Sequence, residues 1–177
     1  DVGTGGGELF ATFAPFPPDT HATETYGANI PVAEQTLTPL GVSVQGVEDV
    51  FSLPYDDAKF DLILNRHSYV SVPETARVLK SGGRFITQQV GGANNVRLNE
   101  LLTGKTPPVN WDLAEATRLL ESAGFEIIDA QEAFPETHFY DIGAVVFYLR
   151  VIVWQMEDFS IEKYETPLRD IHAMIER

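Results

Sequence analysis

The chain opens Asp1-Val2-Gly3-Thr4-Gly5-Gly6-Gly7-Glu8, and the reading of this turn decides the fold. Glycines at alternate positions, Gly3, Gly5 and Gly7, let the backbone enter positive φ and leave no Cβ in the way of a ligand. A turn of this kind joins a strand to a helix in an open α/β sheet, whose ligands gather at the strand C-terminal ends. The helix is expected over residues 8–13, ended by Pro15, Pro17 and Pro18. The strand before the turn would be central to the sheet, so the pattern predicts residues upstream of Asp1.

Outward from the turn, short apolar runs alternate with helical patterns, as in βαβ units around a parallel sheet. Strands are expected over residues 20–24, 42–47, 60–65, 84–90 and 125–130. The run FDLILN at 60–65 is continuously apolar, which predicts burial on both faces. Helices are expected over 30–37, stopped by Pro39 and Gly41, and over 74–79 with Pro73 in the first turn. Ser81-Gly82-Gly83 is expected to end the second of these. Residues 91–108 turn to Gly, Asn, Thr and Pro and read as irregular or as a lid. An amphipathic helix follows at 112–122, closed by Gly124, then an apolar helix at 142–154 and a polar one at 167–176. The expected organisation is one domain over 1–177, with a ligand-binding half at 1–90 and a second half at 91–177 carrying helical additions.

Composition narrows the function. Among 177 residues, 12 Lys+Arg against 26 Asp+Glu leave a net charge of −14. Nucleic-acid binding rests largely on Lys/Arg neutralising phosphates, so the chain has the wrong sign for that partner. It has no cysteine, which excludes a disulfide framework, a thiolate zinc site and a cysteine nucleophile. The four histidines, His21, His67, His138 and His172, share no metal-ligand spacing on one helix, so no metal is expected. The longest apolar stretch, residues 142–154, is interrupted by Arg150 and falls short of the roughly 20 residues that span a bilayer. The protein reads as soluble, and a cytoplasmic location is expected.

Charge also separates two ligands for the turn. A dinucleotide fingerprint needs G-x-G-x-x-G with a pyrophosphate at the helix N-terminus. Here the third glycine comes one residue early, and Asp1 and Glu8 flank the turn. Like charges about 4 Å apart at an effective dielectric near 20 repel by roughly 4 kcal/mol. A ligand with a positive centre and no phosphate, such as S-adenosylmethionine, turns that repulsion into attraction. Glu24 at a strand end about twenty residues on can accept from both ribose hydroxyls. Asp49, ahead of Leu53-Pro54-Tyr55, or its neighbour Glu48, can accept from an adenine amino group.

These stretches resemble the class I S-adenosylmethionine-dependent methyltransferases. The matching motifs are Asp1 to Gly7, Thr23-Glu24, Asp49-Val50-Phe51-Ser52-Leu53-Pro54-Tyr55, Phe60-Asp61-Leu62-Ile63-Leu64 and Arg77-Val78-Leu79-Lys80-Ser81-Gly82-Gly83, spanning about half the chain. The resemblance implies an α/β, Rossmann-like three-layer sandwich with a mostly parallel sheet of strand order 3-2-1-4-5-7-6. The first strand and the final antiparallel strand are not found in this sequence. It further implies that Gly3, Gly5 and Gly7 line the methionine side while Glu24 and Asp49 hold the nucleoside, with Asp1, Val50 and Asn65 also on the cofactor side. His67, in Asn65-Arg66-His67-Ser68, falls where the fold class faces the methyl group. It is the candidate for a base or substrate contact, and His138 and Tyr140 are candidate acceptor contacts.

The acceptor is narrowed by what is missing. Cytosine C5 methylation of the usual kind needs a cysteine, and base-amino methylation carries an Asn/Asp-Pro-Pro-aromatic run that Asn65-Arg66-His67-Ser68 lacks. Together with the acidic charge this favours a small-molecule acceptor. An NAD(P)-dependent oxidoreductase, or a domain that keeps the pocket without transferring, are the alternatives.

Overall fold

A computed structural model describes the whole chain, Asp1–Arg177. It divides into two compact units: Asp1–Val90 with Thr117–Ile128, and Gly91–Ala116 with Asp129–Arg177.

In the first unit, α1 (Glu8–Ala11) leads from the glycine turn to β1 (His21–Glu24), α2 (Ile30–Leu37) and β2 (Ser43–Gly46). Next come β3 (Phe60–Arg66), α3 (Val72–Val78) and β4 (Leu79–Gln88). β1 and β2 pair in parallel, with His21 opposite Ser43, and β3 and β4 pair in parallel, with Leu64 opposite Ile86. Val2 makes parallel bridges to both Thr23 and Asn65, so Asp1-Val2 stands between β1 and β3. The four strands and this residue thus run β2-β1-Val2-β3-β4. α1 is a single turn, shorter than expected, because Thr12 and Phe13 already turn back on Leu9 and Phe10 before the prolines.

Apolar residues spaced for one helix face explain the packing. Ala33 and Leu37 of α2 are fully buried with Phe10, Ala22 and Val42. Val78 of α3 and Leu79 bury Leu53 and Ile63. The structure departs from the sequence reading in four places here. Leu79 to Gly83 do not end a helix: α3 stops at Val78, and β4 begins at Leu79 with a register shift between Phe60 and Leu62. Gly82 (φ 75°) serves that bulge, which inserts residues into one strand only. The run FDLILN is not buried on both faces; Ile63 packs toward α3, while Leu62 and Ile86 remain 51% and 57% exposed on the other face. Residues 125–130 form no strand, and Phe125 instead lays its ring 6.0 Å from that of Phe85. The strands 20–24 and 42–47 are each trimmed to four residues.

In the second unit, α4 (Val96–Thr103), α6 (Ile142–Val151) and α7 (Glu165–Ile175) surround a core of Leu98, Leu102, Val145, Leu149, Leu168 and Ile171. The segment expected to be irregular therefore holds a helix, α4, whose Leu98 and Leu102 sit one turn apart on the buried side. The flanking glycines and prolines masked it. The Nδ2 of Asn95 donates to the Tyr148 hydroxyl at 2.7 Å, which donates to Gln155, whose Nε2 reaches Asn99 at 2.9 Å. That chain ties the start of α4 to α6, and the expected helix 142–154 is divided at Ile152 into α6 and a 3₁₀ turn at Val153–Gln155. α5 (Leu113–Ser122) links the units in sequence. No helix is long and apolar enough to cross a membrane.

Candidate functional site

The glycine turn is held by backbone. Val2 N donates to Leu64 O, Thr23 N to Asp1 O, and both Gly3 N and Thr4 N to Thr23 O, all at 2.9–3.0 Å. A Cβ on Gly3 (φ 72°) would lie 2.2 Å from Ser68 Oγ, and one on Gly7 (φ 83°) 2.7 Å from Leu37 Cγ. Both positions therefore exclude a side chain by shape as well as by φ. Gly5, between them, has nothing within 4 Å of its open side. Thr4 Oγ1 is buried without a hydrogen-bond partner.

Glu24 ends β1 with only 6% of its surface exposed. Its Oε2 accepts from Gly5 N at 2.6 Å, and its Oε1 accepts from Thr25 N at 2.9 Å and Tyr26 N at 2.8 Å. A carboxylate has about four acceptor positions, so three amides hold it in place and leave capacity for hydroxyl donors. A buried charge needs such partners to be tolerated at all.

Asp49 stands exposed after β2, and its Oδ1 accepts from Phe51 N at 2.8 Å and Ser52 N at 3.2 Å. Val50 beside it is buried. The loop from there to β3 has no regular structure of its own, and side chains order it. Glu74 Oε1 accepts from Leu53 N at 2.6 Å, while Arg77 donates to Leu53 O at 3.1 Å, Tyr55 O at 2.8 Å and Asp57 at 2.7 Å. Arg77 also bonds both oxygens of Glu74, at 2.9 and 2.6 Å. That bond, then the Leu53 amide, holds the Glu74 carboxyl below the usual range against a desolvation that opposes it. Sequence reading missed Glu74 and Arg77. Their spacing of three on one helix face was visible, but the loop they would meet was not.

Asn65 is buried, and its amide is fully engaged. Nδ2 donates to Val2 O at 3.2 Å and Tyr69 O at 3.4 Å, and Oδ1 accepts from Gln89 at 2.6 Å and Thr87 at 3.2 Å. It joins the chain at Val2 to β4, so it shapes the site instead of offering free polar atoms to a ligand. His67 follows in left-handed backbone (φ 55°), with its N–H on Gln88 O at 2.9 Å and its side chain exposed. Desolvation, and then the charge of Arg66, lower its pKa from the ordinary 6.5, which favours the neutral, proton-accepting imidazole. Phe51 and Tyr69, both exposed, meet with their rings tilted by 50° and their centroids 5.3 Å apart.

Beside the turn lies a cavity of about 270 Å³, just below the roughly 300–1,000 Å³ typical of ligand pockets. Gly3 and Thr4 of the turn, Leu9 and Phe13 after it, and Arg66 and Ile86 of the strands are among the residues that line it. Of the remaining candidates, His138 and Tyr140 lie in the second unit on an exposed coil, ring to ring at 6.4 Å, with His138 paired to Glu136 at 3.2 Å. His21 is structural: it bonds Asp19 at 2.8 Å and packs edge-on against Tyr55 and Phe60. His172 is on the surface.

Residues 1–87 match a family described as methyltransferase domain. Among solved structures, the chain is similar to the YcgJ protein of Bacillus subtilis at 25% identity and a TM-score of 0.55, covering 70% of this chain and 59% of that one. A candidate methyltransferase from Bacillus halodurans aligns at 24% identity and a TM-score of 0.65, over 94% of this chain and 74% of its own. The [4+2]-cyclase SpnF aligns at 22% identity and a TM-score of 0.61, over 99% and 70%. The chain thus spans about three fifths of the length of YcgJ. No curated protein sequence matches it.

Proposed function

We propose, from the match of residues 1–87 to the methyltransferase-domain family, that the protein moves a methyl group from S-adenosylmethionine to a small-molecule acceptor. The observation that carries this is Glu24, a buried strand-end carboxylate tied to the amide of Gly5 inside the glycine turn. The residues fit the cofactor's chemistry. Glu24 would take the ribose hydroxyls, the Asp49–Val50 segment the adenine, and Asp1 with Gly3, Gly5 and Gly7 the cationic methionine end. Thr4 Oγ1, buried and unpartnered, is one more group that a polar ligand satisfies.

Bound there, the cofactor supplies an activated methyl group with a good leaving group. The protein's task is to align the acceptor and keep water out, which supplies up to about 7–11 kcal/mol in favourable cases. A base is needed only where the acceptor must lose a proton, and His67 is the residue for it. His138 and Tyr140 remain the acceptor contacts proposed for residues 91–177, with residues 1–90 as the cofactor half of one cytoplasmic domain.

A dinucleotide oxidoreductase fits less well. α1 is one turn long, which gives little dipole to a pyrophosphate, and Asp1 and Glu8 add negative charge. The cyclase likeness shows that this fold also serves other chemistry, so a binding test comes first. Calorimetric titration with S-adenosylhomocysteine, and with NAD in parallel, is expected to give heat for the first alone. NAD binding alone would overturn the reading.

A further inference from the structure

We propose that Arg66 is the anion-binding group of the acceptor site, holding a carboxylate on an otherwise apolar acceptor in the cavity beside the glycine turn. This rests on the methyl-transfer reading above and specifies its substrate class. The case begins with charge. Between residues 1 and 90 there are five basic side chains: Lys59, Arg66, Arg77, Lys80 and Arg84. Lys59 pairs with Asp19 at 3.3 Å, Arg77 with Glu74 and Asp57 at 2.6 and 2.7 Å, and Lys80 with Asp61 at 2.8 Å. Arg66 and Arg84 have no carboxylate partner, in a chain with acids in excess. Arg84 lies opposite Leu62, away from the cavity; Arg66 lines it.

Arg66 is also aimed. Its register partner across β3 and β4 is Gln88, whose Oε1 accepts from Arg66 Nε at 2.9 Å. That bond fixes the guanidinium plane and leaves Nη1 and Nη2 as a planar fork, the arrangement that takes a carboxylate through two parallel bonds. Most of the lining beside it, including Leu9, Phe13, Leu64 and Ile86, is apolar, with Thr4, Thr87 and Gln88 among its neutral polar part. A neutral acceptor leaves the fork unpaired, an amine is repelled by it, and a fully hydrophilic anion gains nothing from those walls.

The test uses octanoate, octanamide and octylamine as probes, titrated into protein saturated with S-adenosylhomocysteine. Octanoate is expected to bind at least tenfold more tightly than octanamide, and octylamine not to bind. Arg66→Gln is expected to abolish the preference for octanoate while leaving S-adenosylhomocysteine affinity and the melting temperature unchanged. Equal binding of octanoate and octanamide to the unaltered protein, no octanoate binding, or an unchanged preference in the variant would each overturn the proposal. The carboxylate could instead be the cofactor's own. In that case Arg66→Gln weakens S-adenosylhomocysteine but spares 5′-methylthioadenosine, which lacks the amino-acid end, and the acceptor assignment falls. Failure of the unaltered protein to bind S-adenosylhomocysteine would overturn the methyl-transfer reading itself, a separate result.

Discussion

At the scale of single residues, variants at Glu24 and His67 test the proposed cofactor contact and the proposed base separately. Glu24→Ala removes the acceptor of three amides and any ribose bond, so S-adenosylhomocysteine affinity is expected to fall by about 1.5–3 kcal/mol, the range for bonds to charged groups. Unchanged affinity in a titration would take Glu24 out of the site. His67→Ala is expected to lower turnover while sparing that affinity, since the side chain is exposed and makes no bond to the glycine turn. Its pKa lies below 6.5 in the fold, so a His67-dependent rate is complete at neutral pH and declines only as pH falls below that value. A rate profile flat through this region would remove His67 as the base. The strand-end position of Glu24 was legible in the sequence, because the strand before it and the glycine turn are both short-range patterns. Asn65 lines the cavity as its position suggested, yet the fold takes up all four hydrogen-bonding positions of its side-chain amide.

At the scale of elements, α3 and the loop after β2 act together. With no ladder of its own, the loop relies on Glu74 and Arg77 for the amide and carbonyls of Leu53 and Tyr55, which must find partners once buried. Glu74→Gln is expected to cost about 1.5–3 kcal/mol of stability, nearer the lower figure because a third of the Arg77 side chain faces solvent. The sign with pH follows from the direction of the shift. A carboxyl lowered in the fold stabilises it fully above the unfolded value of 4.5 and loses that contribution as pH falls through the folded value below it. Urea midpoints at neutral pH and below pH 4.5 should therefore converge between the unaltered protein and Glu74→Gln on the acid side. A constant gap would mean that Glu74 acts by shape rather than charge. Helix periodicity showed α2, α5 and α7 from sequence; α4 was hidden because Gly91, Gly92, Gly104 and Pro107 crowd its ends and local composition outweighs eight helical residues.

At the scale of the whole molecule, a net charge of −14 dominates long-range electrostatics. Exposed acids repel one another across distances that salt screens, about 10 Å at 0.1 M. The melting temperature at neutral pH is therefore expected to rise as sodium chloride goes from low to moderate concentration; a fall would mean that the exposed ion pairs outweigh the acid excess. Sequence by itself determined the parallel α/β class, the glycine turn and the position of Glu24 at a strand end, because these depend on residue type at short, regular spacing. It also determined the excluded chemistries, since no fold can supply a missing cysteine. Tertiary structure alone decided which polar groups stay free. Asn65 is used up by Val2, Tyr69, Thr87 and Gln89, Arg77 by Glu74, Asp57 and the loop, and Arg66 keeps two nitrogens open because its neighbour across the sheet is Gln88 rather than an acid. Apart from Asn65–Tyr69 and Arg77–Glu74, which are local, those pairings join residues about 20 to 60 apart in the chain, and tertiary packing, including register across the sheet, brings them within hydrogen-bond reach.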